Sequence, residues 1–169
     1  MNQEPPSAPA ADVPSLWRVD PNMKLQVRGR VQPGDRRGRT IGFPTANLPL
    51  LQQPGIDAGT FSQLQDGVWV AIVQIDPEHG GPEHIAAVSV GRRPTFYGRN
   101  GERLLEAHLL DFSGDLYGRT ISVNLLERLR RQRHFRGTTQ LVTQLERDVR
   151  MAREWIQDIT ARQPELVVS

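Results

Sequence analysis

Val68-Trp69-Val70-Ala71-Ile72-Val73-Gln74-Ile75 is the run from which the fold is read. Its residues are β-branched, aromatic or small, with one polar side chain among them, and Pro77, Gly80, Gly81 and Pro82 close it in a turn. This is a strand, and the texture repeats on both sides of it. Downstream, Ile85 to Val90 reads as a second strand. Gly91 to Gly98 is irregular, and Asn100-Gly101 between two extended runs signals a hairpin turn. Arg103 to Phe112 and Thr120 to Leu126 are further strands, separated by a turn at Ser113-Gly114-Asp115. Upstream, Leu50 to Gln65 carries Pro54, Gly55 and Gly59 among polar spacers and reads as a long loop, while Met23 to Val31 alternates loosely as a strand. At Thr138 the period changes. Leu141, Leu145, Val149, Ala152, Ile156 and Ile159 fall on one helical stripe as far as about Thr160, with Gly137 or Thr138 to cap its start. Short strands with Gly/Pro turns, followed by one helix, predict a mainly β protein, a small antiparallel barrel closed at one side by the helix.

The length of 169 residues suits one domain with tails. Residues 1–22, rich in Pro, Ala and Ser, read as a flexible tail, 23–162 as the domain and 163–169 as a second tail. No apolar run approaches the ~20 residues of a membrane helix. The N-terminus has no basic region followed by an apolar one, so no signal peptide and a cytoplasmic setting are expected. The absence of cysteine excludes disulfides, thiolate metal sites and a cysteine nucleophile. A pI of 9.6 accompanies a formal net charge of only +2, because Lys24 is the sole lysine and arginine does not titrate near neutrality. The arginine clusters at Arg36, Arg37 and Arg39, and at Arg128, Arg130, Arg131 and Arg133, matter more than the total. Aromatics make up 6% of the chain and do not interleave with the arginines, so nucleic acid is not the expected partner.

The chemistry concentrates in Gly38-Arg39-Thr40-Ile41-Gly42-Phe43-Pro44-Thr45-Ala46-Asn47. Glycine lets a ligand approach the main chain, and Pro44 pushes Phe43 into an extended conformation. Thr45 and Asn47, two apart, point the same way in an extended segment. A hydroxyl and an amide oxygen beside an arginine could hold a hard cation and phosphate oxygens. Equally, the stretch could be a turn entering a strand, with both side chains bonded to local backbone. Gly29 to Gly34 begins like a P-loop, but Asp35 stands where that motif needs lysine, and no protein-kinase signature set is present. Glu106 and His108 share a strand face. A carboxylate there is either a general base or one half of an ordinary ion pair with an arginine.

Gly42-Phe43-Pro44-Thr45-Ala46-Asn47 resembles the phosphate and metal motif of the riboflavin kinase (flavokinase) family. Further motifs follow in family order: Gly29-Arg30-Val31 with Gly34-Asp35 and Gly38-Arg39, Asp66-Gly67-Val68-Trp69, Val90-Gly91-Arg92-Arg93-Pro94-Thr95-Phe96, Leu105-Glu106-Ala107-His108, Asp115-Leu116-Tyr117-Gly118, Leu129-Arg130 with Phe135, and Asp148 with Ala152-Arg153. The resemblance runs from about Leu25 to Trp155. It implies a six-stranded Greek-key barrel with the C-terminal helix packed against it. It implies transfer of the γ-phosphate of ATP to the ribityl 5′-hydroxyl of riboflavin, giving FMN, with Mg²⁺ or another divalent cation as cofactor. In that pattern Glu106 is the base, Thr45 and Asn47 hold the metal, and Gly34, Gly38, Arg39, Thr45 and Asn47 form the ATP site. Arg130, Gln132 and Phe135 contact the flavin, and Thr95-Phe96-Tyr97 acts as a lid. The sequence departs from the pattern at Arg39, where many relatives have lysine, at Gln132, where glutamate is common, and mildly at Ala107. No His-x-Gly-His motif of nucleotidyl transfer occurs, so a stand-alone kinase domain, monomeric and ending at FMN, is expected. The alternatives are a non-catalytic flavin-binding module on the same barrel and, further off, a basic barrel that binds nucleic acid.

Overall fold

The computed structural model of the chain describes residues 25–50, 63–92 and 101–162. The two tails, most of the Leu50–Gln65 loop and the Thr95-Phe96-Tyr97 segment lie outside the described residues. Among the described residues the main elements follow in order: β1 Gln26–Arg30, α1 Arg37–Thr40, β2 Ala46–Pro49, β3 Gly67–Ile75, a 3-10 turn at Pro77–His79, β4 Glu83–Arg92, β5 Arg103–Leu109, β6 Thr120–Arg130 and α2 Thr138–Arg162. All pairings are antiparallel, in the order β1-β6-β3-β4-β5-β2. Within it, β6-β3-β4-β5 is the Greek-key arrangement, three successive strands with the fourth returning beside the first. A bridge from Gln32 to Asn47, with Gln32 N–H donating to the Asn47 carbonyl at 2.9 Å, brings the end of β1 to β2 and nearly closes the barrel.

The strands expected from the sequence are present with shifted ends. The first begins at Gln26, β5 stops at Leu109, and β6 runs on to Arg130. Trp69, Ala71, Val73 and Ile75 alternate inward with Ala86, Val88, Val90, Leu105, Ala107 and Leu109 to fill the barrel. Val70 and Ile72 point outward and pack with Ala152 and Ile156 of α2, along with Leu126, Leu129, Trp155 and Ile159. That is why β3 is apolar at nearly every position: both faces are covered.

Two irregularities in β6 matter. Val70 opposes Glu127 and Ala71 opposes Leu125, so Leu126 has no opposite number. Val68 opposes Arg130 and Trp69 opposes Arg128, which leaves Leu129 unopposed as well. These are β-bulges, and each shifts the register by one and so changes which side chains share a face. Both extra leucines go to the cluster under α2, and Arg130 is brought level with Val68.

The helix is held by more than apolar contact. Asp148 is 2% exposed and receives Nε and Nη2 of Arg130 at 2.7 and 2.6 Å, with Gln144 Nε2 donating to the same carboxylate at 2.9 Å. Such a pair holds the helix in one register, because removing either partner would leave a buried charge uncompensated. The apolar stripe divides: Ala152, Ile156 and Ile159 meet the sheet, whereas Leu141, Leu145 and Val149 border an open cavity. We expect Ile72→Ala to lower stability by about 2–5 kcal/mol, since Ile72 is fully buried between barrel and helix. Urea unfolding measures this, and a loss below ~1 kcal/mol would mean that α2 is not seated there.

Candidate functional site: a cavity on the outer face of the barrel

The inward alternation of the strands leaves Asn47, Glu106, Ser89, Val68 and Arg130 on the opposite, outer face. The registers join them in one rung: Asn47 opposes Glu106, Glu106 opposes Ser89, Ser89 opposes Val68, and Val68 opposes Arg130. Four strand spacings of ~4.8 Å make the rung roughly 19 Å long. All five residues line a cavity of about 590 Å³ between the outer face of the sheet and α2. This is the size of a small-molecule site. The loop before β2 walls one end with Arg39, Phe43, Pro44 and Thr45, and Phe112 to Tyr117 wall a side.

The loop at the first end is built tightly. The Phe43 N–H donates to the Gly38 carbonyl at 2.7 Å, and a β-carbon on Gly38 would lie 2.2 Å from the Phe43 oxygen. Gly42, at φ 86°, takes the left-handed conformation that turns the chain back toward β2. His108 Nδ1 donates to the Pro44 carbonyl at 2.9 Å, and its ring packs 5.3 Å from that of Phe43. His108 therefore braces the loop. Asn47 is 5% exposed, and its Oδ1 has no hydrogen-bond partner among the described residues. A buried amide oxygen without a donor is costly unless something electropositive meets it. Gly34 does not line the cavity; it stands behind Asn47, where a β-carbon would lie 2.3 Å from Nδ2. No cluster of three or more His, Asp or Glu that could hold a metal occurs among the described residues.

At the other end, Arg130 spends three nitrogens inside the protein: two on Asp148, and Nη1 on the Arg131 carbonyl at 2.9 Å. Gln132 Nε2 donates to Ser89 Oγ at 2.9 Å and to the Val90 carbonyl at 2.8 Å. Phe135 lines the cavity with both. Of the residues expected from the sequence, Gly38, Arg39, Thr45, Asn47, Glu106, Arg130, Gln132 and Phe135 all border this one space.

A family model for riboflavin kinase, Flavokinase, matches residues 22–156. The chain belongs to the riboflavin kinase family. The bifunctional riboflavin kinase/FMN adenylyltransferase of Escherichia coli strain K12 is 38% identical over 130 residues, which cover 76% of this chain and 37% of that protein. The protein named RNA-binding riboflavin kinase RibR of Bacillus subtilis strain 168 is 32% identical over 123 residues, covering 73% and 47%. Riboflavin kinase from Trypanosoma brucei has a solved structure that matches with a TM-score of 0.55 at 24% identity, over 83% of this chain and 79% of that one, a likeness of fold. The chain thus spans less than half the length of these two curated relatives.

Ser89 and Phe112 to Gly114 are site features that motif reading missed, and Asp115 to Tyr117, though part of a motif, were given no place in the site. The signal for Ser89 was its place as the one hydroxyl in an apolar strand run. The wall could not be read, because its position depends on Asp111. That residue sits at φ 56° and receives Nη1 and Nη2 of Arg153 on α2, each at 2.7 Å. The hydrogen bonds from Arg153 hold the Asp111 carboxyl below the ordinary carboxylate range. Nearby, His84 packs 5.1 Å from the Phe112 ring, and burial pushes its pKa below 6.5 against the opposing pull of Asp111. The folded state therefore binds fewer protons than the unfolded chain just below pH 6.5, and stability falls as pH drops through that window. His84 should titrate below 6.5 in ¹H–¹³C NMR spectra, and His84→Gln should flatten the slope of stability just below pH 6.5. An apparent pKa above 6.5 would contradict this.

Proposed function

We propose that this chain phosphorylates riboflavin with ATP to give FMN. What supports the reading most is the rung, in which Asn47 and Glu106 are direct cross-strand neighbours at one end of a cavity whose other end carries Arg130, Gln132 and Phe135. Phosphoryl transfer asks chiefly for positioning and charge neutralisation. In this reading the flavin ring rests by Phe135 and the flat face of Arg130, and its polyol chain runs along the rung to Glu106. The terminal hydroxyl oxygen forms the new bond to the γ-phosphorus, the bond to the ADP oxygen breaks, and Glu106 accepts the hydroxyl proton. General-base help of this kind is worth about 10²–10⁴-fold, or ~3–5.5 kcal/mol of barrier.

Thr45 and Asn47 would hold the divalent cation, and the Oδ1 of Asn47, without a donor among the described residues, suits that task. When bound, such a cation neutralises charge on the phosphate oxygens. Arg39, with Gly38 shaping its loop, would line the triphosphate path, and Gly34 would serve by leaving room for the Asn47 side chain. The reading takes residues 23–162 as the working unit, monomeric, in the cytoplasm and with no nucleic acid or membrane as partner. No described helix is long and apolar enough to cross a membrane.

Incubation with riboflavin, ATP and Mg²⁺ should yield FMN on chromatography, and folded protein that makes none would sink the proposal. Glu106→Gln should retain riboflavin binding and lose about 10²-fold or more in turnover; a near-normal rate would remove Glu106 from its role. Gly34→Ala should displace Asn47 and weaken Mg²⁺-dependent ATP binding at least tenfold by calorimetry, with the fold kept. Unchanged affinity would separate Asn47 from the cation. RNA binding that falls steeply with salt would favour the activity named for the B. subtilis relative instead.

A further inference from the structure

Gln132 is a departure from the family's usual glutamate, and its hydrogen bonds show what the amide does here. Nε2 is held by two acceptors, Ser89 Oγ at 2.9 Å and the Val90 carbonyl at 2.8 Å. A carbonyl can only accept, so the nitrogen must face it, and the amide has one possible orientation. Gly91 makes the room, since a β-carbon there would lie 2.8 Å from Nε2. Both N–H groups of Gln132 are thereby spent, and only Oε1 is left, as an acceptor. Ser89 is in the complementary state. Its oxygen already accepts from Gln132, and its own proton has no acceptor among the described residues. Both residues line the cavity, and Ser89 stands one strand spacing from Glu106 on the same rung.

We propose that Ser89 and Gln132 form the subsite for the secondary hydroxyls of the substrate's polyol chain, Ser89 donating and Gln132 Oε1 accepting. A secondary alcohol both accepts and donates, and this pair presents one of each. The position along the rung fits: next to Glu106, where the terminal hydroxyl must lie, and before Arg130 and Phe135, where the ring must. The inference rests on the riboflavin reading above and deepens it. It makes the two residues determinants of specificity for the chain and not for the ring.

The test is flavin fluorescence quenching with two probes, riboflavin and lumiflavin, which has the same ring with a methyl group in place of the polyol. Ser89→Ala should weaken riboflavin binding about 3–10-fold, the worth of a neutral hydrogen bond, and leave lumiflavin unchanged within twofold. Ser89→Thr, which restores the hydroxyl, should recover most of the loss. Gln132→Leu should also discriminate against riboflavin alone. If Ser89→Ala binds both probes as the wild type does, or weakens both equally, the subsite is overturned while the kinase reading stands. If wild-type protein binds no riboflavin, both fall together.

Discussion

Antiparallel pairing forces residues on neighbouring strands into level rows, and one such row organises this protein. Asn47, Glu106, Ser89, Val68 and Arg130 come from five strands spread over residues 47–130, yet the ladder sets them side by side. A row of this kind is stiff, because moving one member means slipping a strand by two residues and unpairing its ladder. It suits a reaction in which two substrates must meet end to end, since the spacing between their binding groups is then a property of the sheet. The side chains have only to be of the right kind.

The row depends in turn on covering the barrel's outer face. A sheet closed round its own core would leave that face to water. Here β3 carries apolar side chains on both sides, and α2 is laid over the outer one. The helix covers only part of it, and the part left open is the cavity. Asp148, buried on the helix, takes Nε and Nη2 of Arg130 at the far end of the row, while Arg153 takes Asp111 at the wall. Helix, row and wall are thus tied by two forked ion pairs. The buried one contributes more to geometry than to net stability, as desolvation offsets much of its attraction. The exposed one is weaker still in energy, but it fixes where the wall stands.

The polar groups along the row are of unlike character, and that sorts its ends. At the Asn47 end a buried amide oxygen without a donor among the described residues is backed by Gly34 and by a loop closed on itself. Toward Arg130 many of the protein's own donors are turned inward, three from Arg130 to Asp148 and the Arg131 carbonyl and two from Gln132 to Ser89 and the Val90 carbonyl. Facing a ligand there are the flat guanidinium, the Ser89 hydroxyl and the Gln132 amide oxygen. Glu106 lies between the two settings.

Much of this was readable before any coordinates. The strand run at Val68–Ile75, the Gly/Pro turns around it and the period change at Thr138 determined a β-rich chain with a C-terminal helix, because alternation and helical spacing are local properties. The ordered motifs from Gly29 to Arg153 determined the family, and with it which residues to watch. Local pattern could not choose between Thr45 and Asn47 as a cation pair and as turn residues. Nor could it choose between Glu106 as base and as ion-pair partner. Those choices depend on what stands across the ladder, and register is set by long-range pairing. The two bulges at Leu126 and Leu129 made the difference largest: each adds one residue to β6, and together they bring Arg130 to the row with Glu106. Nothing within β6 announces them, since an extra residue in a strand exists only relative to its partner.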